Sequence, residues 1–305
     1  MDLKQEIREL VLANQLDYMK IASVESLQDE PEWVKPADFL PGAQSVISVG
    51  MKLSLGVQLA NKLAHRGAPR HVIYSYLWHG FGLPSIHFID RTSLQVVRLL
   101  EKEGYVAVPT MSASTFDTRG SISEFSNIHA AVAAGMGEIG WSGLALTPDV
   151  GPRARYGTII TNARLEADPV YAGSRLCDLE KCRELGKGQP LCAAVCPTQA
   201  IGSETEVVKI GKRCFEVAKF DRFRCMWGSM GLSKNCLGLK DIPMPDKIGY
   251  AEINEALKQR EPSQAQELIV ISRGDYCGQC IMECPIGSSE AVNTLLKNER
   301  CPVSI

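Results

Sequence analysis

Eleven cysteines, none of them before residue 177, constrain this chain more than any other feature. They are Cys177, Cys182, Cys192, Cys196, Cys214, Cys225, Cys236, Cys277, Cys280, Cys284 and Cys301. The count is odd, and the polar N-terminus Met1-Asp2-Leu3-Lys4-Gln5-Glu6 has no secretory pattern, so a disulfide framework is not expected. Thiols confined to one half and closely grouped read as metal ligands. One group is Cys177-x4-Cys182-x9-Cys192-x3-Cys196-Pro197, and the other is Cys277-x2-Cys280-x3-Cys284-Pro285. In the run C-x2-C-x2-C-x3-C-P, three close thiolates wrap one cubane and the fourth crosses to a second cluster. The proline that follows sets the exit of the chain and offers no N–H.

This spacing predicts two [4Fe–4S] clusters. The first takes Cys177, Cys182, Cys192 and the crossing Cys284. The second takes Cys277, Cys280 and the crossing Cys196, with Cys214, Cys225 and Cys236 as candidates for its fourth ligand. Paired C-x2-C units also build zinc sites, but a zinc ribbon has no reason to carry two C-x3-C-P endings. A thioredoxin-like reading of Cys277-x2-Cys280 fails on the third cysteine, Cys284. Group one departs from the usual spacing, since Arg183 to Leu191 must loop out between two ligands.

The part before the cysteines alternates helix and strand. Leu3, Ile7, Leu10 and Val11 have helical spacing, and strands are expected at Lys20–Val24, Ser45–Val49, Tyr105–Pro109 and Tyr156–Thr161. The clearest helix covers residues 86–103, with Ile89, Val96, Val97 and Leu100 on one face and Gly104 at its C-terminal end. A small-residue helix runs to about Gly135. These elements predict an α/β or α+β layer over residues 1–171, followed by a cysteine-rich domain over residues 172–305.

Gly135-Met136-Gly137-Glu138-Ile139-Gly140 satisfies G-x-G-x-x-G, yet its context is wrong for a dinucleotide site. A helix-like Ala130-Ala131-Val132-Ala133-Ala134 precedes it where a strand is required. Ile160 occupies the position where an acidic residue should bind ribose. A net charge of −2, from 33 Lys and Arg against 35 Asp and Glu, gives no excess to neutralise a nucleic acid. No apolar run reaches the length of a membrane span, and a cytoplasmic protein is expected.

The stretch 135–169, GMGEIGWSGLALTPDVGPRARYGTIITNARLEADP, together with Tyr74, Tyr76, Gly104–Pro109 and the double cysteine module, resembles the corrinoid-dependent reductive dehalogenases and their relatives, the epoxyqueuosine reductases. The resemblance runs from about residue 70 to 290. It implies a nitroreductase-like α/β domain that binds cobalamin base-off, followed by a bacterial ferredoxin-like domain with two [4Fe–4S] clusters. It also favours Cys225 as the remaining ligand of the second cluster. Gly135, Gly137, Gly140, Gly143, Thr147 and Pro148 would let backbone approach the corrin ring, and Arg153 and Arg155 would pair with propionamides, phosphate or an anionic substrate. The five histidines form no D-x-H-x-x-G cobalt-ligand motif, in keeping with a base-off state.

The resemblance implies electrons passing from an external low-potential ferredoxin or flavodoxin through the clusters to cobalt, with a small organic molecule as substrate. Candidate proton donors are Tyr74, Tyr76 and Glu124. The position where epoxyqueuosine reductases carry an acid falls on Ser121, near Asp117. Dehalogenases tend to have Arg-Asn where this chain has Trp141-Ser142. A ferredoxin-type electron carrier without corrinoid and a tRNA-acting, epoxyqueuosine reductase-like enzyme are the alternatives. The near-neutral charge and the lack of a helical-repeat extension count against the latter.

Overall fold

The structure, a computed structural model, describes residues 2–30, 35–112, 123–263 and 276–298. Its centre is a four-stranded sheet in the order β1-β2-β6-β3, formed by β1 (Tyr18–Ser23), β2 (Ser45–Lys52), β6 (Ala154–Thr161) and β3 (Ala107–Pro109). Every pairing is antiparallel. The layer is therefore α+β, with no parallel crossover unit.

Alternation along the strands divides two cores. Ile21, Ile47 and Ile159 lie in one cross-strand row, and they pack with Ile7 and Val11 of α1 (Leu3–Ala13) and Val96 and Leu100 of α3 (Asp90–Lys102). One residue along, Ala22, Val46 and Ile160 face the opposite way, toward Ala130–Ala134 at the end of α4 (Asn127–Ala133). Alanines there let α4 approach the sheet closely. Because both faces are covered, the first six residues of β2 are all buried, which explains its nearly unbroken apolar appearance.

The helix expected at 86–103 is two elements. A π-helical segment, Leu77–Ile89, leads into α3. Pro84 inside that segment lacks an N–H and disturbs the ordinary α-helical ladder. The expected face of Ile89, Val96, Val97 and Leu100 is buried. Strand β3 starts at Ala107, since Tyr105 and Val106 turn outward after Gly104, whose φ is +86°.

Beyond the sheet, the small ladder of β4 (Glu138–Ile139) and β5 (Ala145–Leu146) leads to the cysteine-rich part. That part holds α5 (Leu179–Leu185), a hairpin of β7 (Ile201–Ile210) and β8 (Arg213–Phe220), α6 (Arg222–Ser229), α7 (Tyr250–Lys258) and α8 (Glu290–Asn298). Helix α2 (Leu55–His65) packs on the turn Gln279–Met282 and on α8. Among the described residues, no helix is long and apolar enough to cross a membrane.

Candidate functional site

Cys177, Cys182, Cys192 and Cys284 line one cavity with Cys280, beneath Gly140–Ser142 and Pro285–Ile286. Cys177 precedes the Asp178 cap of α5, Cys182 lies within α5, and Cys192 lies on the short helix Leu191–Ala194. The long spacing of group one is absorbed compactly. The chain turns at Gly186, where a Cβ would lie 2.0 Å from the Gln189 carbonyl oxygen, and returns so that the Leu191 N–H donates to Cys182 Sγ at 3.2 Å. The Trp141 N–H donates to Cys177 Sγ at 3.3 Å.

Burial pushes the Cys192 thiol up to about 12, with the neighbouring sulfurs of Cys182, Cys177 and Cys284 adding to it. Burial likewise raises Cys284, to about 11, and Cys177. Three thiols driven toward their neutral form need a cationic centre before they act as thiolates. Their convergence with Cys182 on one cavity, with N–H donors aimed at sulfur, fits a four-iron cluster. Among the described residues, no three His, Cys, Asp or Glu side chains are grouped to hold a single metal ion.

The second group is held from the N-terminal part. Asn61 Nδ2 and His65 Nε2 of α2 each lie 2.9 Å from the Cys277 carbonyl oxygen. Cys196 Sγ accepts the Ala200 N–H at 3.2 Å. Helix α6, which carries Cys225, is tied to the same loop: the Asp221 N–H donates to the Ala200 carbonyl, and Arg224 Nη1 to the Thr198 carbonyl. Cys236 is fully buried near Thr198, both of them close to Gly228. Cys214 stands exposed on β8, opposite Lys209. Cys301 lies outside the described residues.

The glycine-rich stretch runs from the end of α4 through β4. Gly135, at φ +83°, closes α4, and a Cβ on it would lie 2.1 Å from the Pro169 carbonyl oxygen. A Cβ on Gly137 would lie 1.8 Å from the Leu146 carbonyl oxygen, and one on Gly140 would lie 2.7 Å from Leu146 Cδ1. On the side a Cβ would take, these three glycines are packed against the chain itself. Gly143, at φ +75°, faces open space. Thr147 is buried in a turn, where its hydroxyl accepts the Val150 N–H, and Pro148 is exposed.

Both arginines are also engaged within the chain. Arg153 is 1% exposed and donates to the carbonyls of Val150, Met282, Cys284 and Ile286. Arg155 donates through Nε to the Gly80 carbonyl at 3.0 Å and through Nη2 to the Tyr76 hydroxyl at 3.1 Å.

The three proton-donor candidates are not brought together. Tyr76 is fully buried, with its hydroxyl on Arg155 and against Gly278. The Tyr74 hydroxyl accepts from Arg70, whose Nε donates to the Leu237 carbonyl. Glu124 accepts the Met111 N–H. Asp117 and Ser121 lie outside the described residues.

A second cavity opens at the free edge of β6, lined by Phe81, Ser85, Ser112, Leu144, Arg155 and Tyr156 among others. The segment from Gly140 to Leu146 walls both cavities, with Gly140–Ser142 and Leu146 toward the cysteines and Leu144–Ala145 toward β6. Ser85 and Tyr156 both line it, and among the described residues their buried hydroxyls have no hydrogen-bond partner. About 140 Å³ of free space admits a small molecule or the edge of a larger one.

Two residues at these cavities have no signal in the sequence. Asp90, the first residue of α3, accepts the Ser112 N–H at 3.0 Å. Burial pushes its carboxyl up and the nearby Glu124 adds to the shift, the direction a neutral-pH acid needs. Glu138 is buried inside the glycine motif, where its carboxylate accepts the N–H groups of Leu176 and Cys177 at 2.7 and 2.8 Å. It thereby orients the first cysteine. Only the 38-residue separation of these partners, closed by the fold, gives that acid a purpose.

With this geometry in hand, known proteins can be compared. No family model matches the chain. Tetrachloroethene reductive dehalogenase from Dehalobacter restrictus is 35% identical over 191 residues, 62% of this chain and 29% of that protein. A tetrachloroethene reductive dehalogenase from Desulfitobacterium hafniense is 36% identical over 178 residues, 58% of this chain and 26% of that protein. The chain therefore spans less than a third of the length of these curated relatives.

In fold, the chain is similar to a catabolic reductive dehalogenase in complex with 3-bromo-4-hydroxybenzoic acid. The TM-score is 0.54 at 15% identity, covering 91% of this chain and 37% of that one. It is also similar to epoxyqueuosine reductase from Streptococcus thermophilus, with a TM-score of 0.50 at 16% identity, covering 94% and 66%. The chain shares with both a mixed α/β fold. The sequence likeness is thus to part of named reductive dehalogenases, and the fold is shared with a reductive dehalogenase and an epoxyqueuosine reductase.

Proposed function

We propose that this chain is a cobalamin-dependent iron–sulfur reductase of a small organic molecule, most similar in activity to the reductive dehalogenases. The observation that carries this reading is the convergence of Cys177, Cys182, Cys192 and Cys284 on one cavity, one segment away from a second cavity holding unpartnered hydroxyls. Residues 1–171 form the nitroreductase-like corrinoid and substrate domain, and residues 172–305 form the ferredoxin-like domain. The second cluster is held by Cys196, Cys225, Cys277 and Cys280, with Cys236 the rival of Cys225. Bound base-off, the corrinoid supplies a strongly reducing cobalt for cleaving a carbon–halogen or carbon–oxygen bond.

The chain's own residues bind, orient and protonate. Ser85 and Tyr156 offer hydrogen bonds at the β6 edge, and Gly143 leaves its side open. Tyr76 is the preferred proton donor, because a phenol is protonated at neutral pH and Arg155 fixes its hydroxyl. Arg155 also stacks over Phe81, with Cζ 5.3 Å from the ring centroid. Asp90, which accepts the N–H of the lining residue Ser112, is the acid if the phenol serves only to orient. An external ferredoxin or flavodoxin provides the electrons.

One observation favours the electron carrier without corrinoid: Gly135, Gly137 and Gly140 are occupied by the chain's own backbone and side chains. Anaerobic reconstitution with iron, sulfide and cobalamin separates the two. The enzyme reading expects about eight iron and about eight sulfide per chain, as two four-iron clusters require, together with one cobalt and a base-off cob(II)alamin spectrum. Full iron without cobalt establishes the carrier, and half the iron removes the two-cluster assignment.

A further inference from the structure

The side chain of Arg153 gathers the turn that carries Cys284. Nη1 donates to the carbonyls of Val150 at 3.2 Å and Ile286 at 2.7 Å, while Nη2 donates to those of Met282 at 2.8 Å and Cys284. The two segments it joins touch backbone to backbone. A Cβ on Gly151 would lie 2.2 Å from the Ile286 carbonyl oxygen, and one on Gly287 would lie 2.3 Å from the Val150 carbonyl carbon. Arg153 thus fastens the strand leading into β6 onto the loop of the second cysteine group, 131 residues away at Cys284.

Four carbonyls satisfy the guanidinium's donors but leave its charge in place. A buried cation is costly unless a negative group faces it. Among the described residues, Arg153 forms no ion pair with a carboxylate. Glu283, the nearest acid in sequence to Cys284, lies 3.1 Å from Lys62 Nζ and 3.7 Å from Arg66 Nη2. The negative groups that act on Arg153 are Cys284 first and then this shared Glu283, and the Cys284 thiolate carries charge once it ligates iron.

We propose that Arg153 is a positioning residue for the first cluster, holding Cys284 in place and, as a buried cation beside that thiolate, making the cluster easier to reduce. The proposal rests on the two-cluster reading of the cysteines. The step it affects is simple: the oxidised cluster gains one electron from the external ferredoxin or flavodoxin. The added negative charge is stabilised by a fixed positive charge in a medium of low dielectric.

The test compares anaerobically reconstituted wild type, Arg153→Gln and Arg153→Lys by iron content and by a redox titration followed by electron paramagnetic resonance. A Cys192→Ala variant identifies which signal belongs to the first cluster. At a fixed potential, Arg153→Gln should lower the ratio of reduced to oxidised first cluster about tenfold, or about 59 mV for one electron. The second cluster should not move. Arg153→Lys, which keeps the charge but not the fork of donors, should stay within about twofold of wild type. Loss of first-cluster iron in Arg153→Gln, with the second signal kept, also supports the assignment. Both clusters present in Arg153→Gln at wild-type potentials would overturn it. Should Arg153→Gln fail to fold, Arg153→Lys decides: a wild-type potential supports the proposal, and a tenfold fall refutes it. Wild type that takes up no iron removes the two-cluster reading, a result distinct from any of these.

Discussion

Replacing Gly137 with alanine should destabilise the protein whether or not a corrinoid is present. The added Cβ would lie 1.8 Å from the Leu146 carbonyl oxygen and 2.8 Å from its carbon, short of an ordinary 3.4 Å contact by about 1.6 Å. Neither partner can yield easily, because Glu138 is paired with Leu146 in the β4–β5 ladder and the Gly137 carbonyl accepts from Arg213 Nη1 at 3.1 Å. Overpacking costs about 1–3 kcal/mol where side chains can adjust. Backbone against backbone belongs at the upper end, about 3 kcal/mol. Gly143→Ala is the control, since its Cβ meets nothing and only the φ of +75° opposes it, at about 1–2 kcal/mol. At about 2–4 °C per kcal/mol, Gly137→Ala should melt roughly 6–12 °C below wild type and below Gly143→Ala. Circular dichroism on reconstituted protein, with and without cobalamin, reads this directly. The shift should also displace Glu138 from the Leu176 and Cys177 N–H groups, so iron at the first cluster should fall. Equal melting temperatures for the two variants, or a loss confined to the cobalamin-loaded form, would show that Gly137 serves a ligand instead.

Two further outcomes follow from the same geometry. Cys225→Ala should remove the second cluster's signal while Cys214→Ala leaves iron at the wild-type level, because Cys214 is exposed on β8; loss in Cys236→Ala with Cys225→Ala intact would move the ligand to the buried sulfur. Tyr76→Phe should retain both clusters yet lower reductive turnover of a halogenated aromatic by about 10²–10⁴-fold, the range of a positioned acid; turnover within about threefold of wild type would pass the role to Asp90 or Glu124.

Much of the architecture is local and was legible in the chain. Short buried-strand runs at Ser45–Val49 and Tyr156–Thr161 marked strands, and each residue's side of the sheet then follows from a period of two. The face Ile89, Val96, Val97 and Leu100 marked α3 by the helical period. The break at Ile89–Asp90 was invisible, because a π-helical segment keeps apolar residues facing inward without keeping the α repeat. Antiparallel order was invisible too, since β2 pairs with β6 across more than a hundred residues of chain.

The candidate site divides in the same way. Cysteine spacing by itself predicted close thiolates around metal, and it nominated Cys284 to cross to Cys177, Cys182 and Cys192, with which it lines one cavity. A short tether limits how far a sulfur can lie from its neighbours, so spacing carries geometry. Glycines and arginines have no such tether. Gly135, Gly137 and Gly140 suggested room for a ligand, and Arg153 suggested a hand for an anion. Only the tertiary structure decided that Pro169 and Leu146 fill the first spaces and that carbonyls from Val150 to Ile286 take the guanidinium. The physical reason is that a missing Cβ or a long cationic side chain specifies only that something must come close. What comes close is chosen by the approach of chain segments distant in sequence.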